Sequence, residues 1–226
     1  MPVAAYDDIA DWYAEWVAGG RHNDYSTRVA QMLIRLLPAG TGERCLDIGC
    51  GTGERATTLR DLGWEPIGVD LSTGQLRHAR RIMPVAAADA TALPIAAGSL
   101  TAAVSVLTHT DLPDYPAVLR EAARVLRPGG RFVHIGIHPC FTGAFAERSD
   151  PTRIIVDGGY HRRERRWDSF TTHGVRDKVG AWHLPLADLL NAFRDAELEI
   201  VDTVEAGPPD GVPDAFSVAA VRRVRP

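Results

Sequence analysis

Three cysteines in 226 residues, Cys45, Cys50 and Cys140, are too few and too irregularly spaced for a disulfide framework or a zinc cluster. Reduced cysteines that act mainly as small apolar side chains are expected. No apolar run approaches the roughly 20 residues of a membrane span. Residues 1–16 are acidic and aromatic where a signal peptide would be basic and then apolar. Strong charge of either sign is also missing. The 25 Lys and Arg against 29 Asp and Glu leave a net charge of -4, which argues against an electrostatic grip on nucleic acid or an anionic membrane. Internal repeats, low-complexity tracts and long linkers are absent as well. What remains is the expectation of a soluble, cytoplasmic chain folded as one domain, with a core that buries roughly 70% of the unfolded surface.

The most informative stretch is R-C-L-D-I-G-C-G-T-G-E at residues 44–54. A short apolar run drops into alternating glycines and then into helical residues, the pattern of a strand, a tight turn and a helix. Glycine is required where the backbone turns with positive φ or where a ligand lies against the main chain. Ahead of this stretch, Ile9, Trp12, Tyr13 and Trp16 recur at helical spacing. Gly19 and Gly20 end that helix, and Asp24 or Ser26 can cap a second one that carries Val29, Met32, Leu33, Leu36 and Leu37.

Downstream, strands are expected at 65–70, 83–89, 100–108 and 131–138, with helices at 73–80 and 114–126 between them. A helix over 183–196 and two strands, 198–206 and 215–221, close the chain around Pro208-Pro209-Asp210-Gly211. Such alternation specifies an α/β domain with a mainly parallel sheet and right-handed crossovers. Ligands gather beyond the carboxyl ends of such strands, and Asp47, Asp70, Asp89, His109 and His138 all fall there. Residues 139–182 lack sustained periodicity and are read as an inserted cap or β-hairpin region.

Four motifs in order, L-D-I-G-C-G-T-G-E, G-V-D-L-S, A-A-D-A-T-A-L-P and R-V-L-R-P-G-G-R-F, resemble the class I S-adenosylmethionine-dependent methyltransferases, particularly the small-molecule, methyltransferase type 11-like group. The resemblance covers residues 6–138 and, more loosely, the closing helix and hairpin. It implies a Rossmann-like seven-stranded sheet with helices on both faces and an antiparallel last strand. The expected division is an N-terminal helical lid (1–40), a cofactor-binding core (41–138), a substrate cap (139–182) and the closing helix and hairpin (183–226). Dinucleotide-binding proteins share the glycine turn and a following acid, but their G-x-G-x-x-G pattern needs glycine where this chain has Glu54.

By this resemblance the cofactor is S-adenosylmethionine and its product S-adenosylhomocysteine. Gly49, Gly51 and Gly53 would form the cofactor turn, with Asp47 toward the methionine ammonium. Asp70 would accept from both ribose hydroxyls and Asp89 from the adenine amino group, beside the Ala90 amide. Leu71 and Leu107 would pack the adenine and ribose, and Tyr13 would lie over the sulfonium unless it is simply core. His109 is the candidate base, or else a helix cap or a packing residue beneath the cofactor. Asp111 either orients His109 or makes a local turn.

His138, also a catalytic candidate, begins a loop that with Cys140, Phe141 and Phe145 would contact substrate; Tyr160, His161 and His183 are further candidates. His134 and His138 cannot share a metal ion, because four residues along a strand span roughly 13 Å. His134 reads as structural, and no metal is expected. The run Arg162-Arg163-Glu164-Arg165-Arg166 is either a solvated or interface segment or a grip on an acidic substrate. The function implied is methyl transfer to an oxygen, nitrogen or carbon of a small molecule, by a monomer or homodimer. The alternative is a cofactor-binding protein that transfers no methyl, such as a cyclase or an interaction module.

Overall fold

The computed structural model describes residues 4–19, 23–150, 152–167 and 174–224. Seven strands form the main sheet: β1 (Arg44–Ile48), β2 (Glu65–Asp70), β3 (Val85–Ala87), β4 (Leu100–Val106), β5 (Leu126–Ile137), β8 (Leu198–Ala206) and β9 (Ala215–Arg222). Their order is β3-β2-β1-β4-β5-β9-β8, and β9 alone runs antiparallel to its neighbours. The strand order reverses between β1 and β4, so their carboxyl ends open the crevice in which ligands of such sheets bind. β4 is buried along nearly its whole length, as its continuous apolar run requires when helices cover both faces.

One face packs α5 (Tyr115–Val125) and α7 (Leu186–Asp195) over Leu46, Ile48 and Phe132, with Leu119 and Phe193 among the helix residues buried there. The other packs α2 (Asn23–Leu36) over Cys45, Val104 and Val133 through Val29, Leu33 and Leu36. α2 starts at Asn23, ahead of both Asp24 and Ser26, so neither is its cap. β5 starts at Leu126, earlier than its apolar pattern suggests. Leu126 already pairs with Leu100, and an irregularity in register accommodates the Pro-Gly-Gly stretch that was expected to precede the strand. β3 is only three residues long and leaves Asp89 beyond its end.

The N-terminal segment closes over α4 (Thr73–Ala79). Asp7 accepts from the Ser72 hydroxyl at 2.7 Å and from the Gly74 amide at 2.9 Å, which supplies negative charge at the start of that helix. α1 (Ala10–Ala18) then packs on α4. A Cβ at Gly74 would stand 2.9 Å from the Ala10 Cβ, so a larger side chain would wedge the lid away.

Between β5 and α7 lie the antiparallel hairpin β6 (Ala146–Asp150) and β7 (Arg153–Val156), a 3-10 turn at Gly158–His161, and α6 (Val175–Val179). α3 (Ala56–Asp61) follows the glycine turn, and short 3-10 turns lie at Asp7–Ile9 and His109–Asp111. Residues 151 and 168–173 of the expected cap, and residues 1–3 and 20–22 of the expected lid, lie outside the described residues. The Lys178 ammonium of α6 sits 4.6 Å over the Trp12 ring of α1, bringing cap and lid into contact above the sheet edge.

Candidate active site

At the end of β1 the backbone turns through Gly49, Gly51 and Gly53 with φ of 72°, 53° and 85°. The three glycines do different things. A Cβ on Gly49 would lie 2.3 Å from the Thr108 methyl, so Gly49 lets β4 approach. A Cβ on Gly53 would crowd Ala79 of α4 at 3.3 Å, whereas one on Gly51 would meet only the Gln75 carboxamide oxygen, at 3.8 Å. Gly51 therefore faces open space. The Asp70 carboxylate holds both sides of this opening, accepting from the Gly51 amide and the Ser72 amide at 2.8 Å each. Each of its oxygens keeps a further lone pair for a hydroxyl. Burial raises the Asp70 carboxyl above its ordinary value, and those two backbone bonds work against the rise.

Asp47 lies beneath, only 2% exposed. Its Oδ2 is sealed from solvent without a hydrogen-bond partner. Burial pushes its carboxyl up to about 7; Arg55 opposes the rise, while Asp70 and Glu54 add to it. A buried carboxylate without a partner is expensive in isolation and becomes favourable beside a cation. Asp89 closes a turn on the Thr91 amide at 2.8 Å and hydroxyl at 2.7 Å through Oδ1, leaving Oδ2 without a hydrogen bond among the described residues. Leu71 is half-buried and Ala90 packs on the core beneath. Leu107 adopts φ of 60° as β4 ends, a left-handed conformation costing a branched residue about 1–2 kcal/mol.

Tyr13 is half-buried, edge-to-face with Tyr6 at 5.4 Å. Its phenol is pushed up by burial, with Glu54 and Asp111 adding and Arg176 and Arg55 opposing. These four charges surround the ring at the mouth of the glycine turn. Two of them were not singled out in the sequence. Arg55 is buried, donates to Ser26 of α2 and pairs with Glu54. Arg176 is buried too, pairs with Asp111 and donates to the Thr110 hydroxyl at 2.7 Å. The Tyr6 hydroxyl reaches the same Asp111 at 3.1 Å. Burial alone would lower the Arg176 guanidinium, but Asp111, with Tyr6 behind it, holds it above its ordinary value. Lid, β4 loop and cap are thus tied at one point.

The two candidate histidines part company. His138 is 2% exposed and both ring nitrogens are occupied. Nδ1 accepts from the Cys140 amide at 3.1 Å, so Nε2 carries the hydrogen and donates to Glu205 at 2.7 Å. Its ring stacks on Phe141 at 4.3 Å. With both ring nitrogens hydrogen-bonded, His138 joins β5 to β8. His109 is 5% exposed, and its Nδ1 is sealed without a partner. Burial, reinforced by His134, Arg176 and His183, holds it well below the ordinary histidine range, hence neutral.

The cap residues expected to meet substrate pack chiefly on one another. The Phe145 ring lies 4.4 Å from His183 and 5.4 Å from Tyr160. Tyr160 accepts from the Leu186 amide at 3.0 Å and touches the Cys140 sulfur at 3.8 Å. Beside them is a cavity of about 30 Å³ whose lining includes Phe145, Gly159, Trp182 and His183. His161 is exposed. In the arginine run, Arg163 pairs with Asp188, Arg165 donates to the Val179 carbonyl at 2.8 Å, and Arg162 lies 3.6 Å from Glu164. The run thus ties to α7 through Asp188 and to α6 through Val179. All three cysteines are free, with Cys45 and Cys50 buried.

Residues 46–134 match the family model described as a methyltransferase domain. The chain is 40% identical over 100 residues to a demethylmenaquinone methyltransferase of Beutenbergia cavernae, covering 43% of this chain and 42% of that one. It is 33% identical over 150 residues to the 27-O-demethylrifamycin SV methyltransferase of Amycolatopsis mediterranei, covering 56% and 54%. The chain thus spans about half the length of these curated relatives. An S-adenosylmethionine-dependent methyltransferase from Mesorhizobium loti superposes with a TM-score of 0.71 at 25% identity, over 85% of this chain and 96% of that one. The matched segment runs from β1 through the glycine turn to the middle of β5, and the fold resembles that of the Mesorhizobium loti S-adenosylmethionine-dependent methyltransferase over most of this chain.

Proposed function

We propose that this chain transfers a methyl group from S-adenosylmethionine to an oxygen, nitrogen or carbon nucleophile of a small molecule and releases S-adenosylhomocysteine. The observation that carries this reading is the partnerless Asp47 carboxylate oxygen beneath the open face of Gly51, with Asp70 fixed across the opening. This donor set fits the cofactor: a buried carboxylate for an ammonium, a second with a free lone pair on each oxygen for a ribose diol, and a backbone turn with room above it. Asp89 Oδ2 and the Ala90 amide would hold the adenine, with Leu71 and Leu107 against its ring and Tyr13 over the sulfonium.

When bound, the cofactor supplies an electrophilic methyl group on a sulfonium. The protein's share is then alignment and exclusion of water, worth about 7–11 kcal/mol, against the roughly 10²–10⁴-fold typical of a base. The lid and cap, tied through Tyr6, Asp111 and Arg176, would shut out water. The relatives named for demethylmenaquinone and a demethylrifamycin support a small-molecule acceptor. Among the described residues no helix is long and apolar enough to cross a membrane. A cytoplasmic monomer or homodimer acting on a metabolite, with no nucleic-acid partner, fits the charge of -4 and the free cysteines.

Calorimetry with S-adenosylhomocysteine tests the reading: binding by folded wild type and loss of about tenfold or more in Asp70→Ala are expected, since that change removes charge-assisted bonds of about 1.5–3 kcal/mol. Folded protein that does not bind would refute it. Incubating a metabolite panel with isotopically labelled methyl donor then identifies the acceptor; turnover of an acceptor without label would favour a cyclase-type role.

A further inference from the structure

Tyr6 and Asp7 are neighbours in the chain but reach to opposite sides of the glycine turn. Asp7 is fixed to the loop after β2, through the Ser72 hydroxyl and the Gly74 amide. The Tyr6 hydroxyl donates to Asp111 Oδ1 in the loop after β4 at 3.1 Å. In the sheet β1 lies between β2 and β4, so residues 6 and 7 form a strap across the gap, two strand spacings or about 9–10 Å wide, into which the glycine turn opens. Apolar burial does little to hold this lid down: of α1, only Ala10 is buried. An element with so few buried contacts opens readily, and the polar ties at its start decide how often.

The acceptor of the Tyr6 bond is held from the cap. Arg176 of α6 donates to the same Asp111 oxygen, and its Nη2 donates to the Thr110 hydroxyl at 2.7 Å. The Trp182 amide donates to the Thr110 carbonyl at 2.7 Å, so the 3-10 turn His109–Asp111 is gripped by the cap at three points. The Asp111 side chain is 22% exposed, and without Arg176 its carboxylate is free to turn toward water. Burial, with Asp111 adding to it, holds the Tyr6 phenol well above its ordinary value, so it remains a donor. Two donors on one carboxylate oxygen are not independent, because the one that fixes the carboxylate sets the strength of the other. The exposed Lys178 ammonium over Trp12 is a second contact between cap and lid.

We propose that the cap controls the lid: Arg176 holds the Asp111 carboxylate where Tyr6 meets it, and loosening that grip releases the strap and with it S-adenosylhomocysteine. This rests on the methyltransferase reading above and adds to it a gate for cofactor exchange. Arg176 is then a positioning residue, acting on the lid through Asp111, and movement of the cap and opening of the cofactor site are one event.

Stopped-flow release of S-adenosylhomocysteine from the full chain tests this, with hydrogen exchange of residues 6–18 in the unliganded protein as an independent readout. Tyr6→Phe removes only the lid side of the latch and should speed release and lid exchange about tenfold or more, the worth of a hydrogen bond to a charged group. Arg176→Met leaves the Tyr6 hydroxyl and Asp111 in place, yet should speed both by a comparable factor, and adding Tyr6→Phe to it should change little further. Thr110→Val removes only the hydroxyl that seats the guanidinium and is the gentler variant should Arg176→Met fold poorly; about threefold faster release is expected. Single effects that multiply in the double variant would mean two independent ties and overturn the proposal. Release and lid exchange unaltered in folded Arg176→Met or, where that variant does not fold, in Thr110→Val would overturn it as well. Absence of S-adenosylhomocysteine binding by wild type would instead refute the methyltransferase reading, and lid exchange would still decide the latch.

Discussion

Replacing Asp47 by Asn tests a buried carboxyl that has an oxygen without a hydrogen-bond partner. The carboxyl rises from 3.8 to about 7 because it is buried without a partner. Three units at about 1.4 kcal/mol each mean that the ionised group costs the folded state about 4 kcal/mol at pH 8. Since the folded pKa lies above the unfolded one, the native state retains a proton that the unfolded chain has released between about pH 4 and 7. Stability from this group therefore falls as pH rises through that window and is level on either side.

Asn carries no charge but leaves its own amide unpaired, at about 1–3 kcal/mol. The variant should thus be more stable than wild type by about 1–3 kcal/mol at pH 8 and no more stable at pH 4. His109 and His134, whose lowered values give the opposite slope, are common to both proteins and drop out of the difference. Urea denaturation of the two proteins at pH 4 and pH 8 measures it. A stability difference that does not change with pH, or a variant weaker than wild type at pH 8, would refute the picture of a strained carboxylate. The same substitution should cost S-adenosylhomocysteine affinity tenfold or more at pH 8, because the site that burdens the free protein is the one that receives the ammonium.

Gly49→Ala and Gly51→Ala should separate turn strain from ligand clearance. The first drives a methyl into Thr108 and should lower stability by about 2–4 kcal/mol in thermal or urea melts, whereas the second should cost about 1–2 kcal/mol of left-handed strain yet lose more cofactor affinity than that stability change explains. Arg176→Met should destabilise by about 2–4 kcal/mol, somewhat less than for a fully buried pair because Asp111 keeps partial exposure; adding Asp111→Asn should restore part of it in a double-mutant cycle. His138→Gln should melt earlier while the pH profile of turnover keeps its shape, since both His138 nitrogens are hydrogen-bonded, to Cys140 and Glu205.

The strand boundaries of β1 and β2 and the helix that follows each were legible because each is set by a contiguous pattern of an apolar run, a turn residue and a cap, whereas the antiparallel last strand was implied by the family resemblance. The Pro-Gly-Gly stretch before β5 read as a terminator, yet it enters the sheet, because pairing of Leu126 with Leu100 outweighs a local turn preference. Arg176 could not be found by pattern. It lies on a five-residue helix in a segment without periodicity, and its partners Asp111 and Thr110 are more than sixty residues away. His138 sat at a strand end as His109 nearly does, but Glu205, 67 residues on, decides its role. Spacing along a chain says nothing about which nitrogen a distant carboxylate will claim.

Buried polar atoms without partners mark where the fold leaves hydrogen-bonding capacity unfilled. Among the described residues they belong to Tyr25, Arg28, Asp47, Gln75, His109, His134, His183 and Asp214. Native interiors leave few such atoms, since each costs about 1–3 kcal/mol. Here several gather at the carboxyl edge of the sheet, around the glycine turn and the loop after β4, whereas the apolar clusters on either face hold the fold without them. Asp70 and His138 show the contrast: both are polar groups at strand ends, yet Asp70 spends one lone pair per oxygen on backbone and keeps another, while His138 has nothing left to offer. The glycine turn and the two acids we propose for the cofactor, Asp47 and Asp70, lie at the ends of β1 and β2 within 24 residues of one another, so short-range sequence finds them. The segments that meet at Asp111, carrying Tyr6, Asp111 and Arg176, are far apart in the chain, and local pattern does not join them.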